Sequence, residues 1–177
     1  PSRISSFFGR INYGYNDKYL ATVTLRADGS SKFAKGNRWG LFPAGALAWR
    51  ISNEDFLKDN QVVSNLKLRL SYGTSGNDRI DADLYQKLYR VNSSRPAGWG
   101  EVSHYYYEFY NSKYVYNPDV KWETTITRNI GLDFGFFKER LSGTIDVYWN
   151  TVKDLLVPSD IPGYTGYTKL MTNVGQT

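Results

Sequence analysis

Aromatic side chains crowd one polar stretch of the chain, and they are the residues whose type and spacing best fit a role in binding. They fall within residues 74–121, which are rich in Tyr, Asn, Ser, Gly and Asp. Tyr and Trp offer flat apolar faces with a polar handle, which suits stacking on sugar rings or packing against a partner. Packing within the loop itself is the alternative. The candidate ligand or partner contacts are Trp99, His104, Tyr105, Tyr106, Tyr107, Tyr110, Tyr114 and Tyr116.

Catalytic and metal chemistry has little support in the residues. The chain has no Cys and one His, which excludes disulfides, thiolate metal sites and multi-His metal sites. It contains no P-loop, dinucleotide fingerprint or nucleophile elbow. Asp and Glu are plentiful, but nothing singles out two of them as the acid pair of a glycosidase. We therefore expect no cofactor, no metal and no enzymatic activity.

Charge is mixed along the chain. Lys and Arg number 22 against 17 Asp and Glu, for a net charge of +5. Because the basic residues are interspersed with acidic ones, we expect no nucleic-acid partner, although a basic chain leaves that alternative open. In the predicted strands the charges favour one parity. These candidate site residues are Arg10, Asn12, Arg26, Asp28, Arg50, Lys67, Arg69, Asp133 and Asp146.

Alternation with a period of two is the dominant pattern, and it predicts an all-β chain. Between residues 66 and 73, for example, Leu66, Leu68, Leu70 and Tyr72 alternate with polar residues and glycine. Six antiparallel strands are predicted, over residues 7–15, 19–28, 41–51, 66–73, 124–136 and 141–151.

The remaining segments are predicted to connect these strands. Residues 52–59 are expected to form a short helical turn capped by Ser52 or Asn53. Parts of the segment 74–121, such as residues 105–116, are expected to extend the strands beyond the main sheet, and residues 154–177 are expected to form a loop.

Link length separates two possible architectures. Short and long links alternate along the chain, and the strands approach the ten or so residues that a tilted strand needs to cross a bilayer. This favours part of an up-and-down transmembrane β-barrel with long extracellular loops. A soluble β-sandwich that binds carbohydrate is the alternative, since alternation alone also fits a sandwich core. Arg128 breaks the apolar parity, either near the outer end of its strand or through a bulge.

Several motifs, in order along the chain, resemble the SusC/RagA class of TonB-dependent outer-membrane transporters. They are FFGRINYGYNDKYLATVTLRADGSSKF, WGLFPAGALAWRISNEDF, LKLRLSYGTSGN, NPDVKWETT, NIGLDFGFF and the stretch from Gly143 to Leu156. The segment 80–116 is the least similar, and a variable outer loop is expected there.

The resemblance implies location and partners. It implies a barrel of about 22 strands in the cell outer membrane, plugged by an N-terminal domain. It also implies a SusD-like surface lipoprotein that closes the mouth as a lid, energy from the TonB complex, and glycan or peptide cargo. Residues 1–177 would then be a partial barrel domain without the plug or the barrel closure. The charged parity would face the lumen, the apolar parity would face outer-membrane lipid, and the aromatic loop would contact ligand or lid.

Overall fold

The chain forms two antiparallel sheets in a computed structural model. The structure describes residues 2–57, 60, 62–99, 102–109 and 113–177, with the side chains of residues 90–109 and 165 left out. The strands are β1 (Ile4–Tyr15), β2 (Tyr19–Ser30), β3 (Trp39–Arg50), β4 (Val63–Asn77), β5 (Tyr89–Trp99), β6 (Val102–Phe109), β7 (Tyr114–Val115), β8 (Glu123–Phe136), β9 (Leu141–Asp160) and β10 (Lys169–Gln176). No helix in these ranges is long and apolar enough to span a membrane.

The larger sheet has eight strands in the order β1-β2-β3-β4-β8-β9-β10-β7, and β5 and β6 form a separate hairpin. All pairs in the larger sheet are antiparallel except the short β7 beside β10. The all-β, antiparallel prediction is confirmed. The sheet is open, and β1 and β7 are its two edges.

Pairing register keeps each side-chain parity on one face across six strands. One row of directly opposed residues is Tyr13, Ala21, Leu47, Leu70, Ile130 and Val147. The row one residue away is Gly14, Leu20, Ala48, Arg69, Gly131 and Asp146. Since successive residues of a strand point to opposite faces, the sheet has an apolar face and a polar face. We call the face with the first row the apolar face and the face with the second row the polar face.

The apolar face is open rather than packed as a core. Val147 is 57% exposed and Leu70 is 42% exposed. The buried cluster instead lies among links and strand ends, and consists of Phe33, Ile80, Leu84, Val120 and Met171. A sandwich requires its apolar residues to meet an opposing sheet. The soluble sandwich alternative is therefore wrong.

Links of different length lie at opposite ends of the larger sheet. Residues 16–18, 51–62 and 137–140 connect strands at one end, and residues 31–38, 78–122 and 161–168 connect them at the other. Alternate links do lie at opposite ends, but their lengths follow the predicted short/long alternation only in part, because the link 51–62 is longer than the links 31–38 and 161–168. We call these the short-link end and the long-link end.

Strand stagger gives the tilt. A row of opposed residues runs from Tyr19, the first residue of β2, over four strand steps to Ile145. The first residue of β9 is Leu141, four residues before Ile145. The short-link end therefore shifts by one residue per strand. With about 3.4 Å per residue and about 4.8 Å between strands, this stagger corresponds to a tilt of about 35°, as in closed barrels.

The strand assignments need correction in three places. The segment 154–177 was predicted as a loop, but β9 continues to Asp160 and β10 pairs with it. Pro158 is accommodated because β9 beyond Lys153 pairs with β10 alone, and a strand with one free edge tolerates proline. The segment 105–116 does not extend the six strands: its described part lies in the separate hairpin and in β7. Consequently the larger sheet contains eight strands rather than about six.

A helical turn does follow β3, but it is shorter than predicted. It is a 3-10 turn over Ile51–Asn53 without a side-chain cap, so capping by Ser52 or Asn53 is wrong. The Asn53 amide instead donates to the Asp17 carbonyl at 2.9 Å and to its carboxylate at 3.2 Å. Residues 58 and 59 lie outside the described residues.

Aromatic packing closes the long-link end. The Trp122 ring lies 5.2 Å from that of Phe33 and 5.5 Å from that of Phe42, and its indole N–H donates to the Arg38 carbonyl at 2.9 Å. The Phe42 ring occupies the space above Gly40 and Gly76, where a Cβ would overlap it. These contacts tie the link 31–38 to the start of β8.

Candidate functional site

An ion-pair network on the polar face joins three of the predicted charges. Arg69 donates to both carboxylate oxygens of Asp133 at 2.9 Å and to Asp146 at 3.2 Å. Thr144 donates to Asp133 at 3.0 Å, and Asn129 donates to Asp146 at 3.2 Å. The side chains of all three charged residues are between 24% and 38% exposed. The network spans β4, β8 and β9, so it fixes their positions on this face.

Gly131 supplies the space in which this network forms. It stands directly between Arg69 and Asp146 in the row of opposed residues. A Cβ at Gly131 would lie 2.5 Å from Asp146 Oδ1 and 2.7 Å from Arg69 Nη2. Sequence reasoning missed this glycine. The alternation does signal it, because Gly131 and Gly135 take the parity on which their neighbours carry charges.

Five more residues of the predicted charged parity have local partners. Arg26 binds Asp28 at 2.8 Å on one strand, and Asp28 is 7% exposed. Arg10 donates to Thr24 at 3.2 Å, and Asn12 accepts from Thr22 at 2.9 Å, each across β1 and β2. Arg50 pairs with Asp17 across the short-link end.

Part of this parity lines an open polar hollow at the short-link end of the polar face. The hollow has a volume of about 660 Å³ and includes three predicted residues, Arg50, Lys67 and Asp133. Asp17, Asn53, Asn65 and Glu139, which sequence reasoning did not select, also line it. Residues from three links and four strands therefore line one space and present both positive and negative charges to it.

The predicted aromatic residues separate into described and undescribed ones. Trp99 lies in β5, and His104, Tyr105, Tyr106 and Tyr107 lie in β6, but their side chains are outside the described ones. Tyr110 lies outside the described residues. Tyr114 and Tyr116 are described, and they lie at and just beyond β7, the strand that pairs with β10.

Tyr114 and Tyr116 belong to an aromatic and cationic cluster. The Lys87 ammonium lies 5.9 Å from the Tyr116 ring centroid and 5.7 Å from that of Tyr89, and hydrogen bonding to Tyr89 raises the pKa of Lys87. Tyr167 joins them from the link 161–168. The enclosed cavity, about 40 Å³, is far smaller than a sugar ring needs. Only the outer surfaces of the cluster are available to a ligand, and Tyr116 is 45% exposed.

A second polar contact fixes an aromatic pair at the short-link end of the apolar face. The rings of Tyr19 and Trp49 stack 6.3 Å apart. Glu54, in the following link, accepts from the Trp49 indole at 3.0 Å, the Tyr19 hydroxyl at 2.7 Å and the Lys18 ammonium at 3.1 Å. These three donors lower the pKa of Glu54 to about 2. Phe7 and Trp39 form a stacked pair, 6.0 Å apart, towards the long-link end.

Arg128 lies on the apolar face, and its parity does not change. It stands opposite Tyr72 and Trp149, and the β4–β8 register runs without interruption from Asn65 to Asn77. The bulge offered as one explanation is therefore wrong. The other explanation, a position near the long-link end, is retained. A lipid-facing Arg destabilises a barrel by about 0–1 kcal/mol at a membrane interface, against roughly 2–4 kcal/mol at the midplane.

An antiparallel sheet with an exposed apolar face, a charged face and long links at one end is the wall of an outer-membrane-type β-barrel. The family model described as "TonB dependent receptor-like, beta-barrel" matches residues 1–177, and the chain belongs to this family. The predicted SusC/RagA resemblance is confirmed by the relatives that follow.

The chain is 46% identical over 173 residues to the TonB-dependent receptor SusC of Bacteroides thetaiotaomicron, covering 96% of this chain and 17% of SusC. It is 39% identical over 176 residues to TonB-dependent receptor P39 of Formosa agariphila, covering 97% of this chain and 16% of that protein. The RagAB peptide importer in its open-open state superposes with a TM-score of 0.83 at 31% identity, covering 99% of this chain and 18% of that chain. The chain thus spans less than a fifth of the length of each.

Proposed function

We propose that this chain is part of the barrel wall of an outer-membrane transporter that imports oligosaccharides or peptides by a TonB-dependent mechanism. The observation that carries the proposal is the division of one sheet into an exposed apolar face and a face with paired charges. In water, an apolar face of this extent favours association or aggregation. In a bilayer, it is the surface that contacts lipid, and the polar face lines the lumen.

The polar face supports a role in the passage rather than in chemistry. Arg26 is paired with Asp28 along one strand, and Arg69 is paired with Asp133 and Asp146 across strands. Other charged residues of this face line an open hollow at the short-link end. Mixed charges in such a hollow suit a polar protein surface, and a plug domain is the occupant we propose for the full barrel. The long-link end then faces outwards, with the aromatic cluster around Tyr116 available to cargo or to a SusD-like lid lipoprotein.

Support for the cargo class comes from the solved relatives and from the aromatic surface. The RagAB structures are of a peptide importer, which favours a cargo with the size and polarity of a peptide. Flat Tyr faces bind peptide and sugar alike, because both present C–H surfaces flanked by polar groups. We therefore propose cargo that is polar and oligomeric.

Cell fractionation followed by electrophoresis with and without heating tests the location. The full-length protein should enrich in the outer membrane and shift in mobility when heated in detergent. Uptake of labelled oligosaccharides and peptides by cells with and without the protein tests the cargo. A soluble protein without a mobility shift would contradict the transporter proposal, and uptake that is independent of the protein would contradict the cargo.

A further inference from the structure

Arg128 has a positive charge without a carboxylate partner among the described residues of the barrel wall. It lies between β4 and β9, well inside the sheet, and both neighbouring strands are in place around it. Its guanidinium donates to the Thr151 hydroxyl at 3.2 Å. Within the described part of the chain, it forms no ion pair with a carboxylate. Most of its five N–H donors are therefore available to an outside acceptor.

The depth of Arg128 places it near the outer boundary of the apolar band. It lies eight residues from Phe136, the last residue of β8 at the short-link end. At about 3.3 Å per residue and a tilt of about 35°, that is roughly 22 Å above the turn. The apolar band of such barrels is about 25 Å tall. A long side chain at this height reaches the headgroup layer.

A hollow on the apolar face adjoins the guanidinium. It has a volume of about 500 Å³, and its apolar walls include Val23, Leu47, Leu70, Ile130 and Trp149, with Arg128 as its one charged residue. An acyl chain fits such walls, while the guanidinium suits a bidentate anion such as phosphate. Lys153, which follows Thr151 by two residues on the same parity, adds a second exposed cation towards the long-link end.

We infer that Arg128 and this hollow bind a phosphate-bearing glycolipid of the outer leaflet, with its phosphate on the guanidinium and an acyl chain in the hollow. This rests on the proposed function, because it requires the apolar face to contact lipid and the long-link end to face outwards. Charge complementarity selects the occupant. The hollow offers apolar contact to any lipid, but its cation distinguishes a phosphorylated one.

Native mass spectrometry of the full-length transporter, purified in detergent, tests the inference. The probes are diphosphoryl lipid A and lipid A from which both phosphates have been removed. Arg128→Gln should lower retention of the diphosphoryl form about tenfold, since it removes a charge-assisted bidentate contact. Lys35→Gln makes the same charge change at an exposed link residue and should leave retention unchanged.

Two further measurements keep the outcomes distinct. Arg128→Lys retains the charge but loses the bidentate geometry, so its retention should lie between those of wild type and Arg128→Gln. The heat-dependent mobility shift of each variant shows that the barrel is intact. Retention by Arg128→Gln equal to wild type in an intact barrel, or equal retention of the dephosphorylated lipid, would overturn the lipid site and leave the transporter proposal standing.

Discussion

Gly131→Ala in the full-length protein should weaken the barrel wall through the Arg69 network. The added Cβ would lie 2.5 Å from Asp146 Oδ1 and 2.7 Å from Arg69 Nη2. Both distances are too short for non-bonded contacts of a Cβ. The Asp146 carboxylate and the Arg69 guanidinium are at the ends of flexible side chains. They can therefore move apart, and the strand backbone keeps its position. The contact between Arg69 and Asp146 is lost, and the bidentate contact to Asp133 can remain.

The magnitude follows from the contact that is lost. A hydrogen bond between charged groups contributes about 1.5–3 kcal/mol when it is well buried. The Arg69 and Asp146 side chains are 32% and 38% exposed, so solvent screens the interaction. We expect a cost of about 1–2 kcal/mol in the free energy of unfolding.

The temperature at which half of the protein loses its compact electrophoretic form in detergent measures this cost. Gly73→Ala is the matched control, because it lies on the same face and its Cβ would meet Ala44 at an ordinary 3.5 Å. Gly131→Ala should lower the midpoint clearly below that of the control. In an Arg69→Ala background the same change should cost much less, because no ion pair remains to be displaced.

Equal midpoints for Gly131→Ala and Gly73→Ala would refute the reasoning. So would an undiminished cost of Gly131→Ala in the Arg69→Ala background. That second result would assign the effect to the β-strand backbone rather than to the ion pair.

Three further predictions follow from the faces and links. Glu54 has a pKa of about 2, below its usual 4.5, so its stabilisation of the short-link end is present above pH 4.5 and is lost towards pH 2. Acid titration followed by tryptophan fluorescence should show this transition, and Glu54→Gln should abolish the transition. Gly76→Ala overlaps the Phe42 ring and should cost about 1–3 kcal/mol, seen as faster proteolysis of the link 78–122 than in wild type. Val147→Arg should reduce the amount of assembled barrel, while Tyr148→Arg on the other face should not, as measured by the heat-shifted band.

The period-two alternation was sufficient to predict the sheet and its two faces. Residues 66–73 alternate regularly, and in residues 124–136 Arg128 is the exception on the apolar parity; the register confirms the two faces across these strands. The pairing of Arg69 with Asp133 was within reach as well, because both lie on the charged parity. Choosing Asp133 among the other carboxylates as the partner of Arg69 required the pairing register of the strands, which depends on contacts between residues distant in sequence.

Other features depend on contacts that no local pattern encodes. Tyr167 joins Lys87 and Tyr116 from a segment predicted as loop, because β9 and β10 bring it back to β7. Gly and Pro in the segment 154–177 indicated turns, and Pro162, Gly163 and Gly166 do lie in the link 161–168. Pro158 instead lies in β9, where the strand has one free edge and accommodates it. The roles of Trp99, His104, Tyr105, Tyr106, Tyr107 and Tyr110 at the ligand or lid stay predictions.

Spin labels on adjacent residues of β9 test most directly whether the apolar face contacts lipid. Val147→Cys and Tyr148→Cys, each the only cysteine in the full-length protein, are labelled and reconstituted into vesicles. Their collisions with oxygen, which concentrates in lipid, and with a water-soluble nickel complex are then compared. The label at position 147 should favour oxygen strongly, and that at position 148 should favour the nickel complex or neither. Equal preference at the two positions, or the reverse order, would contradict the assignment of the faces.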